Sequence, residues 1–296
     1  AHNFSAGDLV VVALPGAVLA GGFEISARKT YGHTSDGMIC SAPELGLEGD
    51  AGGIIVLEPG REPGDDAMAV LDLYEDVLEL EVNPDRAYAL SLRGVARDTA
   101  LAFDVSFDDP ADIEVASEGE GYPVKVDDPA ACPVFVARTV TGFDPSRPTP
   151  DWMARRVEQA GMRSISLAVD VSNYVMLELG QPNHAYDRAK LQGGIVVRRA
   201  QSGESVITLD DVARTLDPED LLITDDAGPV GIAGVMGAAH VEIDENTTDI
   251  VIEAAHFDPA LVGRMVRRHK LPSEASKPNE RGVDTQLQTR AALKSW

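Results

Sequence analysis

The sequence predicts an α+β protein built from several modules, on three observations. At 296 residues the chain is too long for one small core and suits two or three modules. Residues 1–67 are rich in glycine and β-branched residues, the composition of short strands joined by tight turns. Beyond them the hydrophobic spacing switches between period two and the helical period, so strands and helices are interleaved.

Taken in order, Leu9–Leu14 and Gly53–Leu57 read as strands, with turns at Pro15-Gly16 and Gly21-Gly22; together they suggest part of a small β-barrel. Glu58–Asp66 carries two Pro-Gly pairs among acidic residues and closes this first module, 1–67. Residues 68–120 form a connecting module. In it Val77, Leu78, Leu80 and Val82 suggest a strand, Arg93–Phe103 a helix, and the acidic, turn-rich stretch 104–123 a linker. The last module, 121–296, opens with a strand at Phe135–Val140. Thr149 is then placed as N-cap of a helix with Pro150 at its first position, Ala160 at its end and Gly161 as the stop. A second helix is expected after Ser172 and Asn173, ending at Gly180. Gly194–Arg198, Ser205–Leu209 and Asp220–Thr224 read as strands. Asp258-Pro259 starts a further helix with Leu261, Val262, Met265 and Val266 on its apolar side, and Arg267, Arg268, His269 and Lys270 at the negative end of its dipole.

Composition excludes several classes. The hydrophobic fraction of 44% is ordinary for a soluble globular chain. No apolar run approaches the roughly 18 residues of a membrane span, and no signal-peptide pattern is present. The polar, turn-like start at Ala1 reads as a cut rather than a natural beginning. Cys40 and Cys132 are too few and too far apart for a disulfide framework or a four-cysteine zinc site, so a cytoplasmic setting is expected. The net charge of −24 opposes nucleic-acid binding except through local patches, of which Arg28/Lys29, Arg155/Arg156, Arg198/Arg199 and Arg264/Arg267/Arg268/Lys270 are candidates or simply solvated faces.

Three constellations could carry chemistry. Val169–Asp187 (V-D-V-S-N-Y-V-M-L-E-L-G-Q-P-N-H-A-Y-D) groups Ser172 and Asn173 with Gln181, Pro182 and His184 around one short helix. Ser172 and Asn173 also suit helix caps, and a lone histidine is often structural, but polar groups placed by one rigid element often build sites. Gly231–Gly237 (G-I-A-G-V-M-G) lets backbone approach a ligand or a neighbouring strand; it lacks the phosphate-loop ending. Glu253 interrupts the apolar run Ile250–Ala255, where it either faces solvent or is a buried acceptor in need of a donor. His256 beside it has no third ligand, so no metal site is expected, and no nucleophile elbow or paired cysteine is found.

These same residues carry a resemblance. D-V-S-N-Y-V-M-L-E-L-G-Q-P-N-H-A-Y-D, I-A-G-V-M-G at 232–237, I-E-A-A-H-F-D-P at 252–259 and S-E-A-S…E-R-G-V-D at 273–284 resemble signatures of the bacterial phenylalanyl-tRNA synthetase beta subunit. A-R-K-T-Y-G-H at 27–33 and S-D-G-M-I-C-S at 35–41 resemble the later part of its tRNA-binding OB-like domain. The resemblance implies a partial OB-like barrel, a mixed linker module and an α+β editing module. It implies a ligase that charges tRNA(Phe) as an α2β2 heterotetramer, with ATP and magnesium used at the alpha subunit and no cofactor in this chain. The editing module would hydrolyse tyrosine mischarged onto that tRNA. Carried over by motif, Glu253 accepts the tyrosine hydroxyl, Ala233 and Gly234 leave room for the ring, and Ser172, Asn173, Pro182 and His184 line the pocket and position ester and water. An alternative is a free-standing paralogue that edits in trans or only binds tRNA. Among departures from the motif, Tyr186 stands where phenylalanine is common and is expected to be mild. Ser172 keeps the hydroxyl of the usual threonine, Ala238 replaces a glycine, and Lys277-Pro278-Asn279 interrupts the fourth signature.

Overall fold

Residues 1–47, 52–71, 73–74, 76–115 and 121–295 are described by the computed structural model, and the class is α+β. The chain divides into two compact units, Ala1–Leu78 and Glu79–Trp296. In the first, three short antiparallel pairs form: Val12–Ala13 with Met38–Ile39, Val18–Leu19 with Phe23–Glu24, and Arg28–Thr30 with His33–Ser35. They surround a small core of Val11, Ala13, Leu19, Ile25 and Cys40. Pro15-Gly16 turns as expected, with Gly16 at φ 93°. The strand expected at Leu9–Leu14 contracts to Val12–Ala13, and that at Gly53–Leu57 to a single bridge from Val56 to Val10. Among the described residues these ladders close no barrel.

The strand expected over Val77–Val82 does not form. Val77, Leu78 and Leu80 are more than half exposed, and among the described residues no strand pairs with them. The helix expected at Arg93–Phe103 is α1, Leu92–Phe103, capped by Ser91 Oγ accepting from Gly94 N at 3.0 Å. The acidic stretch after it is partly anchored: Arg93 grips Asp109 through two 2.7 Å bonds and Ala111 is buried, while 116–120 lie outside the described residues. Arg93 holds the Asp109 carboxyl below its ordinary range, so this fork stabilises at neutral pH and is lost as pH falls through that lowered value. Arg93→Ala is expected to cost about 1–2 kcal/mol, read as a lower melting temperature at pH 7 that converges with the parent in acid. An unchanged melt would mean solvent screens the fork.

The rest of the second unit is built on two larger sheets, beside a two-stranded antiparallel ladder of Ser205–Ile207 with Ala213–Thr215, where the strand expected at Ser205–Leu209 forms in part. Strands β1 (Val124–Val126), β2 (Val134–Thr141), β3 (Asn183–Asp187), β4 (Ile195–Arg199), β5 (Leu221–Thr224), β6 (Pro229–Ile232), β7 (Met236–Gly237) and β8 (Asp249–His256) appear in chain order. A five-stranded sheet runs β7-β6-β5-β4-β1, antiparallel except for the parallel β4–β1 pair. A three-stranded antiparallel sheet runs β2-β8-β3. On β8 the period of two sorts the side chains. Ile250, Ile252 and Ala254 join the core that contains Val175 and Leu179, whereas Val251 and Ala255 join the larger core shared with the five-stranded sheet. Glu253 lies on that second face.

Helices α2 (Asp151–Gln159), α3 (Leu167–Leu179), α4 (Pro259–His269), α5 (Ser276–Arg281) and α6 (Gln288–Lys294) complete the unit. For α4 the expectation holds in detail. Asp258 accepts from Leu261 N at 2.6 Å, Pro259 opens the helix, and Leu261, Val262, Met265 and Val266 are buried, each stabilising by about 1.5–3 kcal/mol. For α2 the cap was misplaced: Pro150 occupies the N-cap position, and Thr149 Oγ1 instead donates to Asp170 at 2.5 Å. Lys277-Pro278-Asn279 is accommodated in α5, where Pro278 sits in the first turn without breaking it.

Candidate functional site

Helix α3 begins at Leu167, earlier than the cap-like residues suggest, so Ser172 and Asn173 lie inside it and cap nothing. The reason is Asp170. It is fully buried and accepts from Thr149 Oγ1, Ser164 Oγ at 2.7 Å and Ile165 N at 2.9 Å, folding the preceding loop onto the helix's first turn. Ser172 Oγ donates to Asn183 O at 2.7 Å, and Asn183 Nδ2 returns a bond to Ser172 O at 3.3 Å. This reciprocal pair fastens β3 to the middle of α3.

Gly180 ends α3 at φ 79°, a left-handed turn that favours glycine, and the chain reverses into β3. The reversal is held by Gln181, whose Nε2 donates to Pro182 O at 2.8 Å and Ala255 O at 3.0 Å. Its Oε1 accepts from Gln288 Nε2 of α6 at 2.8 Å. Gln181, grouped in sequence with the candidate site, is thus a structural brace.

From this bend β3 carries His184 and Tyr186 on the same face, and His184 is the register partner of Glu253 on β8. The β6–β7 hairpin closes over them. A Cβ at Gly231 would meet Gly237 Cα at 3.4 Å, and a Cβ at Gly237 would lie 2.5 Å from His184 Nε2. The glycines are there for approach: strand to strand, and strand to imidazole. Gly234 makes the hairpin turn at φ 69°.

The result is a cavity of about 440 Å³. Ser172, Asn173, Pro182, His184, Gly234 and Glu253 all line it, as do Tyr186, Gly231 and Gly237. Ala233 does not; it is fully buried in the core behind the turn. Residues far apart in sequence therefore converge, with Ala233, expected to leave room for a ring, set behind the wall.

Electrostatically the cavity is unusual. Glu253 is 6% exposed, and its Oε2 accepts a hydrogen bond from Tyr186 Oη. Burial pushes the carboxyl up to about 7, partly offset by that bond, and the Tyr186 hydroxyl is pushed well above its ordinary value by burial and by the carboxylate. Burial also draws His184 down to about 4, so its imidazole is neutral at pH 7. The His184 ring packs edge-on to Tyr186 with centroids 4.5 Å apart, and its Nε2 is sealed from solvent with no hydrogen-bond partner among the described residues. Cys132 is nearly fully buried and pushed up to about 12 by burial and Glu253, which rules its thiol out as a neutral-pH nucleophile. Among the described residues no group of three or more His, Cys, Asp or Glu side chains could hold a metal, and His256 Nδ1 lies 3.0 Å from Val283 O.

Two contributors escaped the sequence reading. Tyr186, taken as a mild replacement, touches the key carboxylate. Asn279, taken as part of a motif interruption, lines the cavity, donates to Gly234 O at 3.3 Å, and leaves its buried Oδ1 unpartnered. The alternation of N-H-A-Y-D could have placed Tyr186 beside His184 on one face; nothing local pointed to Asn279. Of the basic residues, Arg198 pairs with Glu204 at 2.6 Å, Arg199 with Asp128 at 2.8 Å, and Arg268 with Asp220 and Glu219.

Comparison with known proteins gives consistent matches. Residues 131–294 match the family described as B3/4 domain. A phenylalanine–tRNA ligase beta subunit from Streptomyces avermitilis is 60% identical over 300 residues, covering 100% of this chain and 36% of the relative. One from Thermobifida fusca is 61% identical over 297 residues, with the same 100% and 36% coverage. A crystal structure of an N-terminal fragment of the phenylalanyl-tRNA synthetase beta subunit from Pyrococcus horikoshii aligns over 64% of this chain and 58% of that one, at 14% identity and a TM-score of 0.36. The chain spans about a third of the length of these curated relatives.

Proposed function

Because the chain belongs to the B3/4-domain family and is part of a phenylalanine–tRNA ligase beta subunit, we propose that its cavity hydrolyses tyrosine wrongly esterified to tRNA(Phe). The observation that carries this is Glu253, a buried carboxylate on the wall of a 440 Å³ cavity, with only one of its oxygens bonded among the described residues. Phenylalanine and tyrosine differ by one hydroxyl, which an apolar pocket rejects weakly. A buried acceptor reverses the preference: it bonds the tyrosine hydroxyl and is left unsatisfied by phenylalanine.

In the reaction water adds to the ester carbonyl, the C–O bond to the terminal ribose breaks, and the departing ribose oxygen takes up a proton. Asn173 and the neutral His184 ring, both on the cavity wall, position the water and the ester. Ser172 contributes by fixing β3 against α3. Gly234 keeps the turn low enough to admit a ring, and Pro182 walls the opposite strand. No covalent intermediate is required.

The wider assignment follows the same reading. The aminoacylation site, with ATP and magnesium, lies on an alpha subunit of an α2β2 assembly in the cytoplasm, and the first module contributes to tRNA contact. No helix of the described residues is long and apolar enough to cross a membrane.

The test is deacylation of tyrosyl- and phenylalanyl-tRNA(Phe) by the intact assembly that carries this chain. Preferential loss of the tyrosyl ester is expected, and equal or absent hydrolysis would overturn the reading. His184→Ala is expected to slow that hydrolysis by roughly ten- to a hundredfold. An unchanged rate would make the imidazole a packing residue.

A further inference from the structure

Tyr186 is 1% exposed, shares a face with His184 on β3, and donates from Oη to Glu253 Oε2. Among the described residues no other donor reaches the Glu253 carboxylate. A carboxylate has two oxygens and about four acceptor positions, so the one donor engages Oε2, restrains the group, and leaves Oε1 without a partner among the described residues. The Tyr186 ring cannot swing away: His184 packs edge-on against it, and the backbone of Gly231 lies beneath its hydroxyl.

We propose that Tyr186 is a specificity-setting positioning residue: its hydroxyl locks Glu253 Oε2, so that Oε1 alone is presented, in fixed orientation, to a hydroxyl of the bound aminoacyl group. The inference rests on the reading that the cavity takes a tyrosyl ester. It assigns the discrimination to a pair, with Glu253 as the acceptor and Tyr186 as the side chain that aims it. A second consequence concerns charge. Among the described residues the titratable groups around Glu253 are Tyr186 and His184 on β3 and Cys132 ahead of β2, with Glu242 also on the cavity wall; its β2 register partner is Ala137, and the facing hairpin supplies Gly231, Ile232, Gly234, Val235, Met236 and Gly237, none of them titratable. Among the described residues Tyr186 is therefore the neighbour that favours the ionised, purely accepting form against the effect of burial.

The experiment measures binding of two non-hydrolysable probes, tyrosine and phenylalanine each amide-linked to 3′-amino-3′-deoxyadenosine, to the intact assembly with and without Tyr186→Phe, between about pH 5.5 and 8.5. The parent is expected to prefer the tyrosyl probe, increasingly as pH rises through about 7 where Glu253 ionises. In Tyr186→Phe the preference is expected to fall roughly tenfold, with its pH midpoint moved upward. A side chain that only packs would not move that midpoint. An unchanged preference and midpoint in the variant overturns the role of Tyr186 and leaves the editing reading standing. A gain in preference also overturns it, by making Tyr186 a competitor for the carboxylate. A parent with no preference overturns the reading of the cavity, and the role of Tyr186 with it.

Discussion

Glu253→Ala is expected to remove the preference for the tyrosyl ester, a loss of roughly ten- to a hundredfold in relative deacylation rate, while the fold survives. The side chain lines the cavity, and its backbone remains in register with Ala137 and His184 whatever the residue. The lost bond is charge-assisted, which sets the size of the effect. Tyr186 Oη is left without its acceptor, at a cost of about 1–3 kcal/mol. The check is a ratio of tyrosyl to phenylalanyl deacylation rates beside a thermal melt; a retained ratio with a normal melt would remove Glu253 from recognition. Stability carries a pH signature as well. The carboxyl rises from 4.5 to about 7 on folding, so its favourable contribution is complete below about pH 4.5 and is lost as pH climbs through about 7. That difference is on the order of 3 kcal/mol. Glu253→Gln, which cannot ionise, is expected to gain melting temperature relative to the parent above about pH 8 and to lose that advantage near pH 5.

Gly237→Ala is expected to displace His184 and to cost about 1–3 kcal/mol, with hydrolysis reduced to the level of His184→Ala. The added Cβ would sit 2.5 Å from His184 Nε2 and 2.8 Å from Cε1, closer than real carbon contacts allow. The ring has little room to retreat because Tyr186 stands at its edge. Removing the ring removes the clash, so the two substitutions are expected to be strongly non-additive. In a His184→Ala background, Gly237→Ala should be nearly free of cost to the melting temperature. An additive pair would mean that the hairpin resists the methyl group for some reason other than the imidazole.

What could be read from the sequence was whatever local chemistry decides. Asp258-Pro259 caps its own helix within three residues, and the alternation of Asp249–His256 sorts itself onto two faces. The misreadings share a cause. Thr149, Ser172 and Asn173 are residues that favour helix caps, yet here each bonds elsewhere or sits within the helix: buried Asp170 draws Thr149, and the Asn183 carbonyl takes Ser172. Val77–Val82 has strand-like residues but, among the described residues, no strand partner, and β structure depends on its partner. Of the candidate site, Glu253, His184, Pro182, Asn173, Ser172 and Gly234 converge on the cavity, whereas Ala233 does not. Tyr186 was visible and undervalued, since its effect depends on a contact with a residue 67 positions away.

The amide pair between Gln181 and Gln288 spans 107 residues of sequence, and it braces the bend from which β3 carries His184. Loop closure over such a separation is slow compared with local helix formation. A chain emerging from the ribosome would display Ser172, Asn173 and His184 well before the residue that secures their bend has been synthesised. The cavity is thus a late product of folding, and an unfinished chain presents its lining residues without the geometry that lets them act.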